Sequence, residues 1–245
     1  MLLCMSFLPA RAGPVARFYT LGCRDEEPGR FATLPPAARR HPQARTGKRE
    51  EDRFVQTSDR ALAKLLVERS FIPGDFVLSS GRRSDYYFDC RVTTCFPDAM
   101  PLIGKAFVAE FRRAGTTPRS VGGMTMGADP IANAIAYYSL GDGPSLGAFT
   151  VRKERKQHGT RRWIEGCAEA PVAVVDDVVT SGGSVLRSIE RIQEEGLAIV
   201  HVVVLVDREE GGMDAIRAKL PGTPVSAIFT RTELEALRAQ ERGHA

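Results

Sequence analysis

The 245-residue sequence contains no apolar run near the ~18–20 residues needed to cross a bilayer, so no membrane partner is expected. It has no CxxC pair, and its five cysteines (Cys4, Cys23, Cys90, Cys95, Cys167) match no zinc-ligand spacing, which removes the common structural zinc modules. An odd cysteine count without an export signal fits a reducing, cytoplasmic setting, with the thiols as small buried groups. No repeat, no GxGxxG fingerprint and no glycine-rich loop followed by lysine occurs, so neither a dinucleotide nor a nucleoside triphosphate is indicated. Excess charge is also missing from the body of the chain. The net +4 belongs to residues 1–57, and the remainder balances to zero, which argues against a basic nucleic-acid surface.

The opening MLLCMSFLPARAG has an apolar patch but no basic stretch before it, and Arg11 interrupts it, so a signal peptide is not expected. Residues 11–57 are rich in Arg, Ala and Pro without a sustained period, and 1–57 reads as a disordered extension. The alternatives are an organellar presequence, against which Asp25, Glu26 and Glu27 count, and an upstream region translated only on paper from a misassigned start.

Order is expected from Ser58, an N-cap for a helix over 59–70 with Leu62, Leu65 and Leu66 on one face. Strand-like FVLSS (76–80) and YYFDC (86–90) flank the turn GRRSD. A helical period over 98–114 stops at Gly115. Thereafter strands and helices alternate: strand 120–123, helix 130–140, strand 145–151, strand 172–175, helix 184–195 with Gly196 as its stop, strand 198–206, strand 225–229, helix 231–241. Strands apolar on both faces between amphipathic helices predict an α/β fold, a parallel sheet covered on both sides. Ligands bind such sheets at the carboxyl ends of the strands.

One such end reads VAVVDDVVTSGGS (172–184). Asp176 and Asp177 repel each other and would be costly to bury unpaired, but facing a cleft they can accept hydrogen bonds from a sugar diol or stabilise developing positive charge. Thr180-Ser181-Gly182-Gly183-Ser184 can turn its N–H groups onto a phosphate at a helix start. Together they suit a ribose 5-phosphate. An acidic metal pocket would explain the carboxylates but not the loop behind them. Farther back, VRKERKQHGT (151–160) places Arg152, Lys153, Arg155, Lys156 and His158 within seven residues. Alone such a run is as readily a solvated surface; beside a sugar-phosphate site a flexible cationic loop can neutralise negative charge and exclude water.

VAVVDDVVTSGGS resembles the phosphoribosyl-pyrophosphate (PRPP) signature of the type I phosphoribosyltransferases. R-K-E-x-K-x-H-G at 152–159 resembles the catalytic loop of the orotate phosphoribosyltransferase family. SSGRRSDYYFDCR (79–91) is similar to that family's N-terminal hood, and LVDREEGG (205–212) to its segment after the long central strand, so the likeness covers nearly all of 58–245.

The resemblance implies a type I phosphoribosyltransferase fold: a central parallel sheet flanked by helices, with a small N-terminal hood. It implies transfer of ribose 5-phosphate from PRPP to orotate, giving orotidine 5′-phosphate and pyrophosphate for pyrimidine synthesis, with Mg²⁺ carried in on PRPP and no protein metal site. Arg152, Lys153, Lys156 and His158 would bind the diphosphate. Asp176, Asp177, Val178, Val179, Thr180, Ser181, Gly182, Gly183 and Ser184 would hold ribose and 5-phosphate. Thr180, Arg208, Tyr87 and Phe88 would contact orotate. The catalytic set would be Lys153, Lys156, His158, Asp176 and Asp177. A homodimer with shared active sites is implied, with neither nucleic acid nor membrane as partner. The chain departs from the family at Ser79 and Gly127, where lysine is common.

Overall fold

The computed structural model describes residues 57–77, 83–155 and 162–243. The expected extension lies outside these residues apart from Thr57, which opens the first helix, so Ser58 falls inside the first turn and is not the N-cap.

In chain order the elements are α1 (Thr57–Ser70), β1 (Phe71–Val77), β2 (Arg83–Phe88), α2 (Arg91–Thr94), α3 (Ala99–Arg113), β3 (Ser120–Met124), α4 (Ala128–Ser139), β4 (Gly147–Val151), β5 (Ile164–Gly166), β6 (Val172–Val179), α5 (Gly183–Glu194), β7 (Ile199–Asp207), α6 (Gly212–Lys219), β8 (Val225–Thr230) and α7 (Arg231–Arg242). Six strands form one sheet in the order β5-β4-β3-β6-β7-β8, parallel except for the edge strand β5, which runs antiparallel to β4. β1 and β2 pair separately as an antiparallel hairpin. A parallel sheet with one antiparallel edge is a common variant, and three residues were too short a signal to announce it.

Alternation along the two central strands divides the core between the sheet's faces. Ala173, Val175, Val203 and Leu205 belong to the apolar cluster that includes residues of α1, α3, α4 and α7. Val172, Val174, Val202 and Val204 belong to the cluster formed with α5 and α6. α5 sits on that second face through Val185, Ile189 and Ile192, at helical spacing. α7 begins with a reciprocal cap: Thr230 Oγ1 accepts from the Glu233 amide while the Glu233 carboxylate accepts from the Thr230 amide.

The hairpin is held down by aromatic packing and by α7. Phe71 lies 4.9 Å from Tyr86 and 4.8 Å from Phe88 between ring centroids. The Arg238 guanidinium covers both Phe71 and Tyr86. The Tyr86 hydroxyl donates to Glu235, and burial together with that bond pushes its pKa up to about 12.

Chain order makes β3 and β6 neighbours at the point where the sheet changes its direction of growth. Their ladder ends with Gly122 opposite Val174. In open α/β sheets such a switch point, at the strands' carboxyl ends, opens a crevice.

Candidate active site

A cavity of about 690 Å³ occupies that crevice. Asp176 and Asp177 both line it, although neighbouring residues of an extended strand ordinarily face opposite sides. β6 continues to Val179, so the acids lie within the strand and not beyond the end at 175 that apolar patterning predicts. The Asp177 amide donates to Asp176 Oδ1 (3.1 Å) and the Val178 amide to Asp177 Oδ1 (2.8 Å). Burial, and next the repulsion of Asp177, raises the Asp176 carboxyl well above the usual carboxylate range. Burial also raises Asp177, opposed by the Val178 amide and the Arg91 charge. The pair is a poorly solvated acceptor site that a hydroxyl-bearing or positively charged group would relieve.

The loop after β3 forms the facing wall with Thr125, Met126 and Gly127. Asp129 ties this loop down, accepting from Thr125 Oγ1 (2.6 Å) and from Thr150 Oγ1 on β4 (2.8 Å). A Cβ at Gly127 would stand 2.5 Å from Asp177 Oδ1 and 2.7 Å from Asp176 Oδ1. The absence of lysine here therefore has a steric reason: no side chain fits between the loop and the carboxylates as they stand.

The phosphate loop lies at the far end of β6. Gly182 takes φ = +81° as the residue before α5, and its N–H-bearing turn abuts Gly212 at the start of α6. A Cβ at Gly212 would sit 2.3 Å from the Thr180 carbonyl oxygen. The Gly-Gly of 211–212 thus lets α6 back the loop at close range. Val178, Thr180 and Ser184 line the cavity, whereas the Val179 side chain is buried in the core and offers only its backbone.

Arg208 follows β7, its amide donating to the Val179 carbonyl, and lines the cavity. Its guanidinium is mostly buried and reaches Glu210 at 3.3 Å, while Nε is buried without a partner among the described residues. A mostly buried guanidinium that lines a cavity suits a planar oxyanion. Tyr87 and Phe88 line the same region, Tyr87 half exposed and Phe88 shared with the hairpin core.

Asp89 and Arg91, which sequence reasoning did not single out, also line the cavity and are joined by two 2.9 Å hydrogen bonds. Their spacing carried no signal without the turn that brings them beside Asp177. Cys90 between them is buried, and burial plus the carboxylates of Asp177, Asp89 and Asp176 pushes its thiol pKa up, so it is an inert thiol. Cys95 and Cys167 are exposed, contrary to the expectation of buried thiols throughout.

Of the basic segment, Lys153 lines the cavity. Arg152 does not: its guanidinium turns to Glu165 on β5 at 3.5 Å, an ion pair that draws it away from the crevice. Lys156 and His158 lie outside the described residues.

Paired acids at a switch point, a glycine turn at the start of α5 and cationic side chains gather around one cavity, an arrangement that fits the phosphoribosyltransferase class. The phosphoribosyl transferase domain family matches residues 98–219. Among relatives, orotate phosphoribosyltransferase of Sorangium cellulosum (strain So ce56) is 42% identical over 178 residues, 70% of this chain and 90% of that protein. That of Aquifex aeolicus (strain VF5) is 44% identical over 181 residues, 71% of this chain and 95% of the relative. The crystal structure of Mycobacterium tuberculosis H37Rv orotate phosphoribosyltransferase with Fe(III) dicitrate superposes with a TM-score of 0.65 at 37% identity, covering 72% of this chain and 98% of that one. The same enzyme with PRPP gives 0.61 at 33%, covering 73% and 99%. The chain belongs to the orotate phosphoribosyltransferase family.

Proposed function

We propose that this protein joins orotate to the ribose 5-phosphate of PRPP, releasing pyrophosphate. The observation that carries the reading is the convergence of Asp176, Asp177, Lys153, Arg208 and, from the 180–184 loop, Thr180 and Ser184 on one cavity; Ser181, Gly182 and Gly183 do not line it. The 5-phosphate sits on the amides and hydroxyls of Thr180 to Ser184. The ribose hydroxyls donate to Asp176 and Asp177. Arg208 pairs with the planar orotate carboxylate, and Tyr87 and Phe88 pack on the ring.

In the reaction N1 of orotate forms a bond to C1 of the sugar as the C1–O bond to diphosphate breaks, with inversion. Positive charge grows on the ribose in an oxocarbenium-like state. The two carboxylates stabilise it, and cations of the 152–158 segment stabilise the departing diphosphate. Deprotonated orotate N1 is anionic, so no strong general base is needed. The resemblance assigns Lys156 and His158 to the same task as Lys153.

Among the described residues no group of three or more His, Cys, Asp or Glu side chains could hold a metal ion. The buried, mutually repelling carboxylates fit a cation delivered with the sugar, so Mg²⁺ belongs to the magnesium–PRPP substrate. A homodimer with shared sites is supported by the resemblance and by the exposed apolar face of α3 and α4, where Tyr137 is 80% exposed and Leu140, just after α4, 70%. The three cysteines among the described residues are free, which fits a reducing cytoplasm, and among those residues no helix is long and apolar enough to cross a membrane.

Orotate consumption, followed with and without magnesium–PRPP and against adenine, guanine and hypoxanthine, tests the reading. PRPP-dependent loss of orotate alone is expected. Transfer to a purine, or none to orotate, overturns it.

A further inference from the structure

The two ends of the cavity rest on the two ends of one helix. α5 starts at the phosphate loop and, about 12 Å farther along at ~1.5 Å per residue, presents Arg191 to the basic segment. Arg191 does not point to solvent. Nη1 donates to the carbonyl of Arg152 and Nη2 to the carbonyl of Lys153 (2.7 Å). Its guanidinium carbon stands 4.2 Å from the centroid of the Trp163 ring. Trp163 is in turn fixed to the end of the same helix, its indole N–H donating to Glu194 (2.7 Å) and its amide to Glu195 (2.9 Å). The Arg152 amide donates to the Trp163 carbonyl at 2.9 Å, closing the arrangement.

A cation beside Arg152, Lys153 and Arg155 meets like-charge repulsion, so a surface role would favour a neutral or acidic side chain here. What a guanidinium adds is a planar fork that can bond two successive carbonyls while its face lies on an indole. Resting on the function proposed above, we infer that Arg191 is a positioning residue. It fixes the backbone of 152–153 so that the Lys153 ammonium stands at the diphosphate end of the cavity, at a set span from the 5-phosphate loop. A displacement of the order of 1 Å at such a point costs up to ~100-fold in rate.

Trp163 is the single tryptophan of the chain, so its emission reports this junction directly. The test compares wild type with Arg191→Met, which keeps the apolar stem, and Arg191→Lys, which keeps the charge but loses the fork. Pyrophosphate and ribose 5-phosphate are titrated separately against Trp163 emission, and KM for PRPP and for orotate is measured alongside the melting temperature. Arg191→Met is expected to weaken pyrophosphate and to raise the KM for PRPP by roughly tenfold or more, with ribose 5-phosphate affinity, orotate KM and melting temperature little changed. Arg191→Lys should recover only part of the loss. Unchanged pyrophosphate affinity in Arg191→Met, equal losses for pyrophosphate and ribose 5-phosphate, or full recovery by lysine overturns the inference. The pyrophosphate titration reads Arg191 without turnover. A wild type that binds pyrophosphate but ignores orotate therefore defeats the functional reading and not this one.

Discussion

Gly127 is pressed against Asp177: a methyl group in place of its α-hydrogen would lie 2.5 Å from the carboxylate oxygen. The loop after β3 and the acids of β6 are therefore a single steric unit. Gly127→Ala should swing the carboxylates out of register and reduce kcat/KM by the order of 100-fold. Because the obstructing atoms are side-chain oxygens, the protein should still fold, as circular dichroism would report. Wild-type turnover in this variant would mean that the acid pair tolerates displacement.

Asp176 holds its charge at the expense of stability. Its folded pKa is raised, so above the ordinary carboxylate range the unfolded chain releases its proton more readily than the folded one, and stability falls as pH rises toward the folded value. Asp176→Asn should thus melt roughly 2–8 °C higher near pH 7 while losing on the order of 100-fold or more in turnover. The melting difference should narrow as pH is lowered toward 4. A gap that widens on acidification would contradict the assignment of a raised pKa.

Arg208 lines the cavity with a mostly buried guanidinium, next to Glu210 at 3.3 Å. Arg208→Ala should raise the KM for orotate by about 10–100-fold, the worth of a charge-assisted pair, and leave that for PRPP within about threefold. Equal loss for both substrates would remove Arg208 from the base.

His201 is fully buried on β7, bonded to Thr116 Oγ1 and Ser226 Oγ at 2.9 Å each. Burial lowers its pKa from 6.5 to about 4. Below pH 6.5 the unfolded chain takes up a proton that the folded chain refuses, so stability should drop between pH 6.5 and about 4, by at most roughly 3 kcal/mol, and then level. His201→Gln should flatten that slope in urea melts collected across the window, whatever it does to absolute stability.

The proposed sharing of sites between protomers allows a simple complementation test. Lys156→Ala and Asp176→Asn should each be nearly inactive as separate preparations. After unfolding and refolding together, statistical heterodimers would hold one intact site and restore about a quarter of wild-type activity. No recovery from a mixture that forms dimers would place both residues on one protomer's own site.

Much of this molecule is legible from local pattern. The runs Val172–Val175 and Val202–Val206 are apolar on both faces because each strand is covered by helices on both sides, and the alternation of elements followed from that. VAVVDDVVTSGGS placed acids and phosphate loop in one stretch because both belong to a single strand–turn–helix passage, whose chemistry is contiguous in sequence. Tertiary structure decided the rest. That Asp176 and Asp177 meet at Gly127, that Arg91 and Arg208 line the same cavity, and that Arg191 grips Arg152 and Lys153 all depend on residues 31 to 86 positions apart brought together near the carboxyl ends of the strands. Periodicity reports which way a residue faces along its own element; the identity of what it meets there is set by strand order and by the crossing of loops, which no local pattern encodes.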